Sequence, residues 1–412
     1  MGLGCGVFGR GSTRQAGHLL APFSSESLED SAVSPRKSAS TTASGAVACL
    51  TMLKTPLCDQ LGIDYPIFSV GFGRGAGPEL VAAVSNAGGC GVLGATGQPA
   101  PYIREQIQRV RKLTDKPFGA NVILVNELRP ETIGACIEER VRLLVLFWGD
   151  PSPYVEHAHR RGVKVFVQVG SVDEARAAAA AGVDAIIAQG MEAGGHVKST
   201  TALSILLPAA VDAVRPVPVL ASGGIADGRG LAAALALGAQ GVSMGTRFVA
   251  SAEAFVHSEY KQRVVQSTAE DTVYSADLFD IWWPDAPHRA LRNRLVEEWE
   301  AAGRPPSGQR PGEGIAIGTI TGYDGATIEI PRYASFMTTP AFKGDVEYAP
   351  LWAGESVGLV NDVRPAGEIV RDIVREAEEV RDSSGGDHLA EGVGFEPTDP
   401  LLEGQSLSRR LP

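Results

Sequence analysis

The run Ala188-Gln189-Gly190-Met191-Glu192-Ala193-Gly194-Gly195-His196 closes an apolar stretch with two glycines and a histidine. An imidazole, with an ordinary pKa of about 6.5, takes or gives a proton near neutral pH, so His196 is a candidate general base. An arbitrary loop histidine does no more than hydrogen-bond to backbone; the neighbours of this one single it out. Two more glycine-bearing turns follow, Ser222-Gly223-Gly224 in VLASGGIADGRG and Gly245-Thr246 in SMGTRF. Turns without bulky side chains let backbone N–H groups converge, and a helix starting behind each favours an anion, which makes both candidate phosphate loops. Glu192 is a candidate to orient the imidazole, or else a solvated loop carboxylate.

A fourth glycine-rich stretch, VGFGRGAG at 70–77, imitates a dinucleotide fingerprint through Gly71, Gly73 and Ala76. The next strand ends Val92-Leu93-Gly94-Ala95-Thr96. It lacks the acidic residue that a dinucleotide-binding fold places there, so these glycines suit close backbone approach to a flat ring instead.

Positioning such residues takes a regular scaffold, and the chain between Pro66 and Ala250 alternates short apolar runs with amphipathic or alanine-rich segments. Strands are predicted at 66–70, 89–95, 117–124, 143–149, 164–170, 185–190, 218–224 and 241–246. Gly88, Gly162, Gly182 and Gly238 stop helices between them. Eight β/α units point to a parallel (β/α)8 TIM barrel in the α/β class, with an open doubly wound sheet as the alternative. On a barrel the active site gathers at the C-terminal strand ends, where strands six, seven and eight run into the three glycine turns.

After Ala252 the regularity breaks. Residues 285–303 (DAPHRALRNRLVEEWEAAG) predict an amphipathic helix, and 252–345 as a whole an inserted α+β lid after strand eight. Within it and just beyond, Trp282, Trp283, Tyr333, Met337 and Trp352 are candidates to line or cover the pocket, each also a candidate for plain core packing. His157, His159, His257 and His288 read as surface or lid residues, and Cys90 as core. Residues 346–381 return to the barrel and end in the helix PAGEIVRDIVREAEEVR.

The 412 residues are 44% hydrophobic with net charge −11, which fits a large buried core and disfavours nucleic acid or an anionic membrane surface as partner. No run of about 18 apolar residues could span a bilayer. The five cysteines are scattered without metal-ligand spacing, so no metal is expected and the setting is a reducing, cytoplasmic one. Residues 1–51 carry no secretory h-region and are expected to be a disordered leader, or to precede a natural start at Met52. Residues 382–412 are expected to be a disordered tail. Its Gly394-Phe395-Glu396-Pro397-Thr398 could be encoded by a T-arm-like stretch of a neighbouring transfer-RNA gene, which suggests unselected peptide.

AQGMEAGGH, VLASGGIADGRG and MGTRF, in this order, resemble the nitronate monooxygenase family, formerly 2-nitropropane dioxygenases. These are FMN-dependent barrels related to FabK-type enoyl-acyl carrier protein reductases and some NADH:quinone reductases. The similarity extends over about residues 52 to 380 and includes LGIDYPIFS, AGPELVAAVSNAGG and AGESVGLVNDVRPAGEIV. It implies FMN held without covalent attachment, the phosphate on Gly223, Gly224, Gly245 and Thr246. The isoalloxazine would lie near Val70, Gly71, Phe72, Asn121, Gln168 and Gly194, with Gln189, Gly195 and Ser222 completing the cofactor set. His196 matches the family's catalytic histidine. The family often has Met where Phe72 stands and Gly where Ser199 stands.

The implied partners are a small nitroalkane or nitronate and O2, for a monomer or homodimer. In the implied reaction His196 removes the α proton of a neutral nitroalkane, and flavin-mediated oxidation by O2 gives a carbonyl compound and nitrite. Two alternatives stay open: an NADH-dependent FMN reductase of a quinone or enoyl thioester, and a flavin-binding barrel without catalysis.

Overall fold

A computed structural model describes residues 53–125, 130–322 and 325–385. The expected leader, 1–51, and residues 386–412 of the expected tail lie outside the described residues, whereas 382–385, expected to open that tail, continue the last helix.

Eight short parallel strands form the centre of the molecule: β1 (Ile67–Ser69), β2 (Gly91–Gly94), β3 (Phe118–Ile123), β4 (Leu143–Phe147), β5 (Lys164–Val169), β6 (Ala185–Gln189), and, after the two-residue β7 (Gly195–His196), β8 (Val219–Ser222) and β9 (Val242–Met244). Their order in the sheet is β1-β9-β8-β6-β5-β4-β3-β2, and a parallel bridge between Phe68 and Cys90 joins the two ends. The sheet therefore closes into the (β/α)8 barrel, and all eight predicted strands are present. Each is nearly continuous in buried residues because it packs side chains both inward and against the surrounding helices.

Inside the barrel, Phe68, Cys90, Val92, Leu143, Val145, Phe166, Ile187 and Leu220 form one cluster with Leu57, Cys58, Leu61 and Ile63. The last four belong to helix Pro56–Leu61 and the turn after it. This helix is tied to the start of β9, since Thr55 Oγ1 donates to Gln240 O (2.8 Å) and Leu57 N–H to Gln240 Oε1 (3.2 Å). It plugs the N-terminal end of the barrel and leaves the C-terminal end for the site.

The helix Ala366–Gly385 packs on helices Gly228–Ala236 and Pro78–Asn86, and Glu376 Oε2 accepts from Gly228 N–H at 2.9 Å. The apolar face of this last helix, Ile369, Val370, Ile373 and Ala377, is buried against the barrel wall as its periodicity predicts.

The segment after β9 holds helix Ser258–Gln266, strands β10 (Thr272–Ser275) and β11 (His288–Leu291), helix Arg294–Ala301, and strands β12 (Ala316–Thr321), β13 (Thr327–Pro331) and β14 (Phe342–Gly344). The predicted helix over 285–303 is only half right. Its first part is β11, which pairs antiparallel with β10 on one side and with β7 on the other. The helix starts only where Asn293 caps it, its side chain accepting from Val296 N–H at 3.2 Å. All four residues of β11 are buried, so pairing on both edges overrides the helical pattern of the sequence.

This segment has its own small core of Val273, Leu278, Phe279, Leu295, Val296, Trp299 and Tyr333. Tyr333, a candidate pocket aromatic, lies fully buried there, donating from its hydroxyl to Pro311 O at 2.9 Å. Arg310 closes the core. Its fully buried guanidinium lies 4.3 Å above the Tyr333 ring, reaches Asp277 O at 2.6 Å and Asp280 Oδ1 at 2.5 Å, and pairs with Glu313.

Candidate active site

The C-terminal strand ends open into a cavity of about 860 Å³. The sequence-predicted residues converge on it. Val70, Gly71 and Phe72 follow β1, Asn121 lies in β3, Gln168 in β5, and Gln189 ends β6. Gly194, Gly195 and His196 come from the turn after β6, Ser222, Gly223 and Gly224 from the end of β8, and Gly245 and Thr246 from the end of β9.

The last two turns form an anion cradle. Gly223 has φ +104° and Gly224 φ +68°, a left-handed conformation that costs a residue with a Cβ roughly 1 kcal/mol or more. The N–H groups of Gly223, Gly224 and Gly245 make no hydrogen bond to another described residue. Thr246 Oγ1 accepts from Gly354 N–H at 3.0 Å, which leaves its own hydroxyl proton to donate into the cavity. Gln168 makes no side-chain hydrogen bond to another described residue and presents a bare amide, whereas Asn121 Nδ2 donates to Val145 O at 3.2 Å. Unpartnered donors around glycines at two neighbouring strand ends fit a phosphate group with a polar, flat headgroup beside it.

His196 is held from three sides. Gln189 Nε2 donates to its carbonyl at 3.0 Å, β7 pairs it with His288 of β11, and Ser335 Oγ lies 3.5 Å from its Nε2. Trp283 stacks on the ring at 3.7 Å between centroids and 27° between planes. Trp352 lies 5.3 Å away and Trp148 meets the imidazole edge-on at 6.2 Å. Burial among these rings, with the neighbouring His288 adding a smaller effect, pushes the His196 pKa well below 6.5. The imidazole is therefore neutral at working pH rather than poised at its ordinary pKa.

His288, expected at the surface or on the lid, is fully buried, its ring 5.7 Å from that of His196. Its Nε2 accepts from Phe279 N–H at 3.0 Å and its Nδ1 contacts Ala286 O at 2.9 Å. A carbonyl can only accept, so Nδ1 carries the proton and the ring is locked neutral; burial also lowers its pKa. It positions β11 and has no nitrogen left for proton transfer. Of the other histidines, His159 pairs with Asp184 at 2.7 Å and His257 caps helix Ser258–Gln266.

Glu192 does not orient His196. Its carboxylate accepts from Leu203 N–H at 3.0 and 3.1 Å and caps helix Leu203–Val214. Two features of the site went unassigned in the sequence, the placing of Trp148 and the seat of the stretch that follows Trp352. Trp148, with φ +64° at the end of β4, stands edge-on to both His196 and Trp283. The segment Trp352–Ser356 wedges between the β6 and β9 turns, so closely that a Cβ on Gly194 would lie 2.3 Å from Gly354 N. Trp282, Trp283, Met337 and Trp352 line the cavity as candidates; Tyr333 does not.

Among the described residues no cluster of three His, Cys, Asp or Glu could hold a metal, and no helix is long and apolar enough to cross a membrane.

The sequence model of the family described as nitronate monooxygenase matches residues 54–376. A dehydrogenase of Mycobacterium tuberculosis, named for (3aS,4S,5R,7aS)-5-hydroxy-7a-methyl-1-oxo-octahydro-1H-indene-4-carboxyl-CoA, is 32% identical over 79% of this chain and 96% of its own. A probable nitronate monooxygenase of Staphylococcus saprophyticus is 30% identical over 80% of this chain and 99% of its own. Among solved structures, FabK from Thermotoga maritima superposes with a TM-score of 0.65 at 33% identity, over 80% of this chain and 98% of that one.

Proposed function

We propose that this chain, which belongs to the nitronate monooxygenase family, is an FMN-dependent enzyme that oxidises alkyl nitronates with O2 to a carbonyl compound and nitrite. One observation carries the reading: the His196 imidazole and a cradle of unpartnered N–H groups face the same cavity at the end of the barrel. Gly223, Gly224, Gly245 and Thr246 would hold the phosphate. Val70, Gly71, Phe72, Asn121, Gln168 and Gly194 would border the ring system, with Gln189, Gly195 and Ser222 behind it. When bound, the flavin supplies the one-electron chemistry that links the nitronate to O2.

The residues of the chain do the rest. His196 accepts the α proton of a neutral nitroalkane, a step to which a positioned base contributes about 10²–10⁴-fold. Its low pKa keeps the accepting nitrogen free well below neutral pH, and the nitronate left beside it offsets the charge it gains. Trp283, Trp352 and Phe336 exclude water from the reacting atoms. The reading makes the protein a cytoplasmic enzyme that works on small molecules as a monomer or homodimer.

A second reading, NADH-dependent reduction of a quinone or enoyl thioester on the same flavin, is favoured by the relative named as an indene-carboxyl-CoA dehydrogenase. Anaerobic mixing separates the two. Bleaching of the bound flavin by an alkyl nitronate with no response to NADH supports the monooxygenase. Rapid bleaching by NADH, with none by the nitronate, overturns it. Purified protein that is colourless and takes up no FMN overturns both.

A further inference from the structure

The cavity has two unlike halves. Its floor is made of strand ends, with glycines and the short polar side chains of Asn121, Gln168, Ser222 and Thr246. Its outer wall comes from the loop after β1 and from the insertion, through Phe72, Trp282, Ile320, Ile328, Phe336 and Met337. No carboxylate or lysine lines the cavity among the described residues. Arg74, the cationic residue on the outer wall, donates to Thr321 O at 3.2 Å and so ties the β12–β13 hairpin over the opening.

That hairpin is two-faced. Ile320 and Ile328 stand directly opposite each other in the β12–β13 register, as do Thr319 and Glu329 one step along. Side chains alternate along a strand, so the isoleucine pair and the Thr–Glu pair lie on opposite faces of the hairpin. The isoleucines face the cavity, yet Ile328 is 45% exposed, and Trp282, which lines the same cavity, is 53% exposed. A wall of paired β-branched and aromatic side chains that its own protein leaves half wet marks a place where something apolar is meant to lie.

We propose that this outer half is a subsite for the hydrocarbon part of the substrate. The preferred substrate is a compound whose reacting group meets His196 and whose long or bulky hydrocarbon portion runs out between the hairpin and Trp282, not a two- or three-carbon nitroalkane. The inference rests on the flavoenzyme reading of the floor but not on which flavin reaction occurs there. Each methylene taken out of water strengthens binding by up to about fourfold, the equivalent of about 0.8 kcal/mol. The wall is half exposed, so about two- to fourfold per methylene is expected. Binding that is equal in ground and transition states is expressed in KM more than in kcat.

The test is the FMN-loaded enzyme with ethyl, butyl, hexyl and octyl nitronates. kcat/KM should climb by that factor per methylene, carried by KM, and the slope should flatten in Ile328→Asn, a substitution at an exposed position that leaves the melting temperature intact. A flat series, or equal slopes in both proteins, overturns the subsite. Binding is read separately by quenching of tryptophan emission with 1-octanol against 1-butanol. Tighter binding of octanol that is lost in I328N supports the subsite even if no nitronate is turned over, an outcome that would sink only the assigned reaction. Equal binding of the two alcohols overturns the subsite even if nitronates are consumed.

Discussion

The barrel and the segment inserted after β9 contribute to the site in opposite ways. The barrel contributes mainly backbone: left-handed glycines, free N–H groups, and a few short amides at strand ends. The insertion contributes mainly side chains: Trp282 and Trp283, the isoleucine pair of the hairpin, Phe336 and Met337. Backbone geometry changes little under substitution, whereas side chains change freely. On the proposed function the division assigns the constant part of the chemistry to the barrel and the variable part, which would meet the substrate, to the insertion. His196 stands at the border, with its chain in the barrel and its ring under an insertion tryptophan.

The largest effect should come from His196→Asn. Turnover of a neutral nitroalkane is expected to fall by about 10²–10⁴-fold with FMN still bound, and turnover of preformed nitronate much less. Steady-state rates on the two substrate forms, with the flavin absorbance, check this; equal losses on both would move the base elsewhere. Next comes Arg310→Met, which strips the buried partner from Asp280. A loss of about 3–5 kcal/mol is expected. Denaturation followed by tryptophan emission should show the insertion unfolding first, while far-UV dichroism retains the barrel. A single coincident transition would mean that the two regions are one cooperative unit.

A smaller change is expected of Trp283→Ala. Uncovering the imidazole relieves the burial that depresses its pKa, so the acid limb of kcat/KM should move up in pH toward 6.5, with only a several-fold change at neutral pH. An unmoved limb would mean that Trp283 does not set the basicity of His196.

The smallest effect concerns stability. His196 and His288 both have folded-state pKa values below the 6.5 of the unfolded chain. Below about pH 6.5 the unfolded chain binds the extra protons, so stability falls as the pH drops from there toward the folded values and is flat above. Urea midpoints measured from pH 7.5 to 5 should fall less steeply in His288→Gln than in the parent.

The same division decides what the sequence discloses. All eight barrel strands can be read from it, because each is a local run of apolar residues followed by a helix, and all but β3 run into a glycine. Gly223, Gly224 and His196 are legible for the same reason, since fold topology sends the end of each strand to the same mouth. His288 is not, because its neighbours carry helical periodicity and it is buried by pairing with β10 and with β7, the latter some ninety residues earlier. Ile320 and Ile328 read as an unremarkable hairpin until the register places them over the cavity. Tyr333 and Glu192 show the converse. A tyrosine near tryptophans and a carboxylate near a histidine look functional, but one fills the insertion core and the other caps a helix.

Among the described residues, the two-residue strand that carries His196 pairs with no barrel strand; its sheet partner is β11. The proposed proton acceptor is thus registered, residue against residue, to the same segment that walls the cavity. A lineage cannot trade this insertion for another, as loops on such barrels are often traded, without also resetting the height and tilt of its base. Changes in what the enzyme accepts should accordingly accumulate on the hairpin and the tryptophan loop, which can vary without shifting β11, and spare the four residues from His288 to Leu291.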